Sequence, residues 1–348
     1  MRIFSGIQPT GRKHLGNYLG AIRQYVDGQD RADPAIFCIV DLHAITVAYD
    51  PTELRERLYD TTALLLAAGL DPERCILFRQ SDVREHTELA WLLGTVCAHG
   101  DLNRMHQFKD KSSRQRELVS AGLFFYPVLQ AADVLAYGAD EVPVGEDQRQ
   151  HIELMRDIAI RFNERFGEGT LVVPEHRIPA VGARVMDLAE PERKMSTTVG
   201  ADSGRVYVLD EPSAIRKKFG SAVTDSGAEV RRGPEKAGIT NLIEILAAVR
   251  GVEPAAVEDE FAGAGYGDFK GAVAAAVIEH LTPVRERYLE LRGDEAALEQ
   301  VLAAGAERAR GLAGETLARA RERMGVGPVN AGGATTSDAP SAGRRGGG

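Results

Sequence analysis

The sequence predicts an α/β protein in which a mostly parallel sheet is followed by a helical second half. In the first half, short apolar runs alternate with longer amphipathic stretches, which is the pattern of strands joined by helices. From Ser213 onward the chain is rich in Ala, Glu and Arg at helical spacing. Its 348 residues, of which 44% are hydrophobic and 27% charged, suit a soluble chain of about two domains.

The first hundred residues contain three predicted strands and two predicted helices. Apolar runs predict the strands, and the run AIFCIV is apolar on both faces, as in a strand covered on both sides. Asp50 and Pro51 precede the first of the two helices. In chain order we predict strands at 3–7, 35–40 and 75–78, and helices at 52–69 and 85–97.

One later helix is predicted clearly by its periodicity. Leu154, Ile158, Phe162 and Phe166 recur every four residues, so one face is apolar and is expected to pack in the core. After Lys194 the pattern predicts a last short strand and then helices. These elements are a helix at 151–166, a strand at 206–209, and helices that include 239–249, 270–280 and Glu295–Met324.

These patterns divide the chain into two domains and a tail. We expect an α/β domain over residues 1–190, with a helical insertion near 85–140. A polar loop and a helical domain are expected over 191–328. Residues 329–348 are dominated by Gly, Ala, Ser and Thr, which cannot bury a core, so we expect a disordered tail.

Charge and cysteine usage exclude several classes of protein. The net charge of -9 argues against indiscriminate nucleic-acid binding but allows a local basic face. Cys38, Cys75 and Cys97 are an odd number without CxxC spacing, which indicates buried thiols in a reducing compartment. We see no signal-peptide pattern and no apolar run of about 18–20 residues, so we expect a cytoplasmic protein without a membrane partner.

A glycine-punctuated turn follows the first predicted strand and opens a helical run. A helix N-terminus offers unpaired N–H groups and the positive end of its dipole to phosphates. His14 and Asn17 can also donate hydrogen bonds to phosphate oxygens. Taken alone the signal is weak, because such a turn is often only a tight turn. Its sequence is Pro9-Thr10-Gly11-Arg12-Lys13-His14-Leu15-Gly16-Asn17.

A second polar stretch begins much later, at Lys194. Lysine is a mobile cation suited to following a leaving pyrophosphate, and hydroxyl side chains beside it suit a loop that closes over a nucleotide. Composition alone would favour a polar linker between domains. Its position after an α/β domain that carries the first turn favours the nucleotide loop. The stretch reads Lys194-Met195-Ser196-Thr197-Thr198.

In that order the two stretches resemble the HIGH and KMSKS signatures of class I aminoacyl-tRNA synthetases. Further segments resemble bacterial tryptophanyl-tRNA synthetases in particular, and the resemblance runs from about residue 2 to residue 325. It implies a Rossmann-like catalytic domain with a C-terminal α-helical domain that binds the tRNA anticodon. These segments are FSGIQPTG (4–11), CIVDLHAIT (38–46), YPVLQAAD (126–133), VPVGEDQRQH (142–151), SAVTDS (221–226) and GITNL (238–242).

The resemblance implies a role for each matching residue. Asp133 would accept the indole N–H of tryptophan in a charge-assisted hydrogen bond, and Tyr126 and Gln148 would hold the substrate ammonium. The rest of the tryptophan pocket would be Phe4, Gly6, His43, Gln130, Val142 and Val144. ATP would contact Gln8, Pro9, Thr10, Gly16, Asn17, Gly145, Glu146, Asp147, Val185, Lys194, Met195, Ser196, Thr197 and Thr198. The catalytic residues would be His14, Asn17, Lys194 and Lys111.

Two positions depart from the family pattern. Thr197 stands where the family has a second lysine, so one positive charge near the pyrophosphate is missing. Arg193 or Lys111 are candidates to replace that charge. Many bacterial members carry methionine at the position of Gln130, whose amide could hydrogen-bond the ammonium or a water and make the pocket more polar.

The implied reaction has two steps. The tryptophan carboxylate attacks the α-phosphate of ATP to give tryptophanyl-adenylate and pyrophosphate, and tRNA(Trp) then attacks the adenylate. Catalysis would come mainly from positioning and charge stabilisation. Mg²⁺ would accompany ATP, held by phosphates and water, without a dedicated protein metal site.

Local positive charge in the helical half suits tRNA phosphates. The basic residues are Arg216, Lys217, Lys218, Arg231, Arg232 and Lys236. The family implies a homodimer, and we expect no DNA partner.

Three alternatives were weighed against this function. A tyrosyl-type synthetase has the same fold and a related pocket, but the contexts DLHAIT (41–46) and GEDQ (145–148) favour tryptophan. The chain length and the late lysine loop disfavour a small nucleotidylyltransferase. A non-catalytic paralogue that binds tryptophan or tRNA is supported by Thr197 and opposed by His14, Asn17, Lys194 and Asp133. Exchange of pyrophosphate into ATP separates catalyst from binder.

Overall fold

A five-stranded parallel sheet lies at the centre of the molecule. The computed structural model describes residues 1–105, 119–143, 148–177, 185–196 and 200–328. The strand order is β3-β2-β1-β4-β5, and each neighbouring pair is parallel. The predicted α/β class with a parallel sheet is therefore confirmed. The strands are β1 Ile3–Ile7, β2 Ala35–Ile39, β3 Ile76–Arg79, β4 Glu141–Pro143 and β5 Glu175–Arg177.

The first three strands lie where the apolar runs predict them, within one residue at either end. Every residue of β2 is buried, because helices cover both faces of the sheet. The last two strands have three residues each, which is too short to give a recognisable apolar run. They were not predicted.

Helices surround the sheet and form most of the second half. Asp50 caps one of them by accepting hydrogen bonds at 2.8 Å from the amides of Thr52 and Glu53. The helices are α1 Leu15–Asn17, α2 Arg23–Gly28, α3 Asp41–Ala44, α4 Pro51–Ala67, α5 Glu85–Gly94, α6 His99–Asn103, α7 Ala121–Leu135, α8 Arg149–Phe166, α9 Pro212–Gly220, α10 Ala237–Arg250, α11 Pro254–Glu260, α12 Tyr266–Arg292 and α13 Glu295–Met324. A wider π-helical turn, Tyr18–Ile22, joins α1 to α2.

The predicted helices are present, but the strand predicted at 206–209 is wrong. Tyr207 makes an isolated antiparallel bridge to His14, and the chain turns at Val208 and Leu209. The apolar side chains at 206 and 208 are buried in a hydrophobic core although the segment forms no strand. The predicted tail at 329–348 lies outside the described residues.

Two apolar cores lie on the two faces of the sheet. Side chains alternate along β2, so Phe37 faces the core shared with α4, α10 and α12, while Ile36 faces the core shared with α5, α7 and α8. Helix α13 contributes Leu302 to the first core and Ala309 to the second. The C-terminal helix therefore packs along the β3 edge of the sheet, and the division into domains at residue 190 stays a prediction.

Gly305 allows α13 to lie directly against β3. A Cβ at this position would overlap the backbone carbonyl oxygen of Leu77. We expect Gly305→Ala to lower the free energy of unfolding by about 1–3 kcal/mol, as overpacking in a core does. Gly311→Ala is the matched control, because a Cβ there meets nothing within 4 Å. It should stabilise the same helix by about 0.5–1 kcal/mol. Urea denaturation measures both, and an equal effect of the two variants would contradict the packing.

In the ranges that the structure describes, no helix is both long and apolar enough to cross a membrane.

Candidate active site

The order of the strands places a crevice at the carboxyl ends of β1 and β4. From β1 the chain continues to β2 and β3 on one side, whereas β4 and β5 lie on the other. In open α/β sheets, ligands bind at such a point, where the strand order reverses. A cavity of ≈ 470 Å³ lies at this crevice. It is lined by Phe4, Ser5, Gly6, Gln8, Val40, His43, Tyr126, Gln130, Asp133, Val134, Val142, Pro143 and Gln148.

Asp133 is a buried carboxylate in the wall of this cavity, with 1% of its surface exposed. His43 Nε2 lies 2.7 Å from its Oδ2, and Gln80 Nε2 donates to its Oδ1 at 2.7 Å. His86 Nδ1 lies 2.8 Å from Oδ1, which is a close electrostatic contact without hydrogen-bond geometry. A carboxylate has about four acceptor positions, so a further donor from the cavity can be accepted.

These neighbours keep Asp133 ionised. Burial alone would raise the pKa of its carboxyl group, but the imidazoles of His43 and His86 hold that pKa below its usual range. Tyr137 supports the arrangement, since its hydroxyl lies 2.5 Å from His86 Nε2. A charged acceptor in a cavity that is also lined by Phe4, Val40 and Val142 suits a ligand that carries an N–H donor on an apolar ring.

Three of the residues behind Asp133 were not predicted from the sequence. Gln80, His86 and Tyr137 are each completely buried and belong to different elements. Gln80 gave one usable signal, as a polar residue directly after a strand at the edge where ligands bind. His86 and Tyr137 gave none, because a lone histidine or tyrosine among apolar residues is usually a core residue.

Aromatic and amide side chains complete the cavity wall. Phe4 stacks on Tyr137 with ring centroids 5.6 Å apart. Tyr126 lies with its hydroxyl 2.9 Å from His151 Nε2. Gln130 Nε2 donates to Gln148 Oε1 at 3.4 Å, so the residue that departs from the family pattern contacts one predicted to hold the ammonium. Two amide side chains therefore lie together at this point of the wall.

Gly6 keeps the cavity open beside β2. A Cβ at this position would lie 3.1 Å from Val40 Cγ1, so a larger residue would push into the space that the cavity occupies. All of the predicted tryptophan-pocket residues within the described ranges line this single cavity. They are Phe4, Gly6, His43, Tyr126, Gln130, Asp133, Val142 and Gln148. Val144 lies outside the described residues.

The turn after β1 begins helix α1 through a reciprocal pair of hydrogen bonds. His14 Nδ1 accepts from the Asn17 amide at 3.2 Å, and Asn17 Oδ1 accepts from the His14 amide at 3.1 Å. This is a capping box made by a histidine and an asparagine. The outward atoms are then His14 Nε2 and Asn17 Nδ2, and both are donors when the imidazole is neutral.

His14 is neutral because of its surroundings. Burial, together with the positive charges of Lys194, Lys13 and Arg205, lowers the pKa of its imidazole to about 4. Since Nδ1 accepts a hydrogen bond from the Asn17 amide, the neutral ring carries its own proton on Nε2. The turn therefore presents a fixed N–H donor to an anion at neutral pH without a change in protonation.

The lowered pKa of His14 predicts a pH dependence of stability. The folded-state value of about 4 lies below the ordinary 6.5, so the unfolded chain binds this proton more tightly. Stability from neutral His14 is complete above pH 6.5 and is lost as the pH falls towards 4. We expect wild type to lose about 1 kcal/mol relative to His14→Asn between pH 7.5 and pH 5.5. Urea denaturation at the two pH values tests this, and an unchanged difference would contradict a neutral His14.

The two signature stretches meet beside this turn. Gly16 packs between the His14 ring and Val185, with an added Cβ 3.3 Å from the Val185 side chain. The Leu15 amide donates to the Val206 carbonyl at 2.7 Å, and the Val208 amide donates to the Lys13 carbonyl at 3.0 Å. The segments on both sides of the lysine loop are thus bonded to the first turn or packed against it.

Lys13 fixes the shape of the turn from within. Its Nζ donates to the carbonyl oxygens of Gln8 at 2.7 Å and Thr10 at 3.0 Å. Burial and the nearby Arg57 lower the pKa of Lys13 to about 8. Gln8 also lines the cavity, so the turn and the cavity are adjoining parts of one site.

Lys194 is an exposed residue on the second strand of a short hairpin. Met186 and Lys194 form an antiparallel bridge, and Met195 next to it is buried in the core with 2% exposure. The Met195 amide donates to the Val185 carbonyl at 3.0 Å. Met195 therefore anchors the loop, while Lys194 is exposed and its positive charge lowers the pKa of His14.

Arg193 braces this hairpin, and its candidacy to replace the missing lysine stays a prediction. Its Nη1 contacts Glu190 at 2.6 Å and its Nη2 contacts the buried Asp187 at 3.3 Å. Arg205 is a cation whose charge acts on His14 together with Lys194, and the sequence analysis missed it. Of the other predicted nucleotide residues, Pro9 and Ser196 lie within the described ranges. Those outside the described residues are Lys111, Gly145, Glu146, Asp147, Thr197 and Thr198.

Within the described ranges, no group of three or more His, Cys, Asp or Glu side chains could hold a metal ion. The anion-binding features of the site are instead amides, a neutral imidazole and lysine charges. The site as a whole defines a class of protein, a nucleotide-using α/β protein with a partly closed pocket for a second, small substrate that bears an N–H donor.

The comparisons with known proteins identify the family. The family profile described as "tRNA synthetases class I (W and Y)" matches residues 1–282. The chain is 50% identical to the tryptophan–tRNA ligase of Wolinella succinogenes over 325 residues, which covers 93% of this chain and 98% of that protein. The corresponding ligase of Mycobacterium leprae is 51% identical over 333 residues, with 94% and 97% covered. The chain belongs to the class I tRNA synthetases of the tryptophan and tyrosine group.

The solved structures agree with this assignment. Tryptophanyl-tRNA synthetase from Campylobacter jejuni, complexed with ADP and tryptophan, superposes with a TM-score of 0.80 at 33% identity. The match covers 94% of this chain and 100% of that one.

Proposed function

We propose that this chain activates L-tryptophan with ATP and transfers it to tRNA(Trp). The observation that carries the proposal is the buried, hydrogen-bonded carboxyl group of Asp133 in a cavity that adjoins the His14 turn. An indole ring has one N–H on an apolar body, which is the complement of this cavity. The relatives at about 50% identity are tryptophan–tRNA ligases over nearly their whole length, and this supports the same substrate here.

The first step follows from the arrangement of the site. With the indole N–H on Asp133, the ammonium lies near Tyr126 and Gln148, and the carboxylate faces the opening beside Gln8 and the turn. ATP lies with its phosphates at the N-terminus of α1, where backbone amides and the His14 Nε2–H meet negative charge. The carboxylate attacks the α-phosphate, and Lys194 stabilises the pyrophosphate as it leaves.

Mg²⁺ enters this site with ATP in our proposal. Such an ion would be held mostly by phosphate oxygens and water. When bound, it neutralises charge on the departing pyrophosphate. The protein's own residues hold the amino acid and the nucleotide in line for attack.

The second step needs tRNA(Trp), whose terminal adenosine attacks the carbonyl carbon of the adenylate through a ribose hydroxyl and releases AMP. Arg216 and Lys217 are exposed on α9 in the helical half, and such cations suit phosphate contacts. We place the reaction in the cytoplasm, where tRNA charging supplies the ribosome.

We also propose that the chain acts as a homodimer, as its family implies. Trp91 on α5 is the single tryptophan of the chain and is 73% exposed, which is unusual for so large an apolar ring. A second copy of the chain that covers this face would bury it. We expect Trp91→Ser to shift sedimentation from dimer towards monomer at micromolar concentration. Unchanged sedimentation would remove Trp91 from the interface.

Exchange of pyrophosphate into ATP tests the proposed activity. The reaction is measured with tryptophan, with tyrosine and without an amino acid, and then as charging of a tRNA(Trp) transcript. Exchange that depends on tryptophan, followed by charging, is the expected result. Exchange with tyrosine alone would make the chain a tyrosyl-type enzyme. A folded protein that binds tryptophan but shows no exchange would be a non-catalytic relative.

A further inference from the structure

The backbone that carries Lys194 is one strand of a short hairpin whose other strand is residues 185–187. Met186 and Lys194 form its antiparallel bridge, and the Asp187 amide donates to the Arg193 carbonyl at 2.8 Å. Lys194 itself is exposed on a flexible stem, so its reach is set by where this hairpin lies. Whatever fixes the 185–187 strand also fixes the base of the Lys194 side chain.

A single buried amide from the helical half holds that strand from its other edge. Asn241 on α10 has 2% of its surface exposed. Its Oδ1 accepts from the Met186 amide at 2.9 Å, and its Nδ2 donates to the Met186 carbonyl at 3.0 Å. The Asn241 side chain thus hydrogen-bonds both backbone groups of Met186, as a neighbouring strand would. Met186 is also the residue that is bridged to Lys194.

Two segments that resembled the family but had no assigned role form the rest of this support. In SAVTDS (221–226), the Val223 amide donates to the Leu188 carbonyl at 2.8 Å. In GITNL (238–242), Gly238 lies so close to Val223 that a Cβ would overlap its carbonyl oxygen. The start of α10 therefore packs against segment 221–226, which is hydrogen-bonded to Leu188 beside the hairpin. Asn241 lies three residues after Gly238 on the same helix.

We propose that Asn241 is a positioning residue for Lys194, acting through the Met186 backbone. This inference rests on the proposed function, in which Lys194 stabilises the leaving pyrophosphate. Asn241 contacts no substrate in this account. Its loss leaves two buried backbone groups without their partner and lets the hairpin shift. A shift of about 1 Å in a group that acts on the transition state can lower a rate a hundredfold.

The chain contains a matched control for this interaction. Asn163 makes the same two-point pairing with Leu171, donating from Nδ2 to the carbonyl at 2.8 Å and accepting from the amide at 2.9 Å. It lies at the C-terminal end of α8, and its partner lies in the loop after that helix, with no bond to the Lys194 hairpin. Asn163→Ala and Asn241→Ala therefore remove the same contacts at two places in the fold.

The experiment compares pyrophosphate exchange by wild type, Asn241→Ala and Asn163→Ala, with ATP and tryptophan varied separately. Tryptophan binding is measured by equilibrium dialysis, and thermal unfolding is followed for each protein. We expect Asn241→Ala to lower kcat by about ten- to a hundredfold while tryptophan affinity stays within about twofold. Asn163→Ala should lose a similar amount of thermal stability and keep the wild-type kcat.

Each other outcome has a definite meaning. Wild-type kinetics in Asn241→Ala, or an equal fall in kcat in Asn163→Ala, would overturn the positioning role and leave the proposed function intact. Absence of tryptophan-dependent exchange in wild type would overturn the proposed function itself. If Asn241→Ala does not fold, Asn241→Ser gives the same comparison, because its hydroxyl can hold a water at the Met186 backbone.

Discussion

Asp133→Asn is expected to lower kcat/KM for tryptophan by about a hundredfold in pyrophosphate exchange, with the KM for ATP little changed. A hydrogen bond to a charged acceptor is worth about 1.5–3 kcal/mol, and the substituted amide removes that charge. The amide also turns an N–H group towards His43, Gln80 or His86, all of which contact the carboxylate in the wild type. The loss should therefore fall on tryptophan and spare the nucleotide.

Asp225→Asn is the control for this variant. Asp225 is a hydrogen-bonded carboxylate in the helical half, with Tyr266 as its partner at 2.8 Å. It should keep the kinetic constants of the wild type for tryptophan. Wild-type use of tryptophan by Asp133→Asn would contradict the role given to the buried carboxylate.

His14→Asn is expected to lower kcat by about a hundredfold or more while the helix that it caps stays folded. Asparagine is a good N-cap, so its side chain can still accept the Asn17 amide at the start of α1. It cannot replace the Nε2–H donor that we propose to act on the phosphates. Removing one such donor from an oxyanion site costs about a hundred- to a thousandfold in kcat. Steady-state exchange at saturating ATP and tryptophan measures the effect.

His99→Asn controls for the loss of a histidine. His99 begins the short helix α6 and bonds to Asn103 on the same helix. It should leave kcat unchanged. If His14→Asn retained the wild-type kcat, the imidazole would serve only as a helix cap and the turn would act through its backbone amides.

Local pattern was enough to predict most of the architecture. The strands β1, β2 and β3 are buried on both faces, so their apolar runs stand out from their surroundings. The short strands β4 and β5 depend on pairing with β1 and with each other, which no local pattern encodes. The same holds at Tyr207, where one bridge to His14 replaces the strand that the apolar residues predicted.

The candidate site was predicted in part by resemblance, and its supporting contacts were not predicted. The cavity is lined by residues that lie up to more than a hundred positions apart in the chain, and the predicted ones were identified from segments that resemble the family. Gln80, His86 and Tyr137 behind Asp133 belong to no quoted motif, so only the folded arrangement brings them together. Asn241 belonged to a motif, but its bonds to Met186 span 55 residues and could not be read from either segment.

His14 and Asn17 illustrate a role that the sequence predicted incompletely. Both were expected to donate to phosphates, and the structure shows that each also bonds the other's backbone amide. That pairing decides which nitrogen of His14 carries the proton. It also makes a substitution such as His14→Ala ambiguous, because the helix cap and the donor would be lost together.

Recognition of the indole N–H of tryptophan by Asp133 is central to the proposed function. The most direct test is pyrophosphate exchange by the wild-type enzyme with tryptophan and with β-(3-benzothienyl)alanine, in which sulfur replaces the ring N–H at nearly the same size. We predict that kcat/KM for tryptophan exceeds that for the analogue by at least about a hundredfold, because the analogue leaves the buried carboxylate without its donor. Equal use of the two amino acids would contradict the claim and leave the cavity selecting its substrate by shape alone.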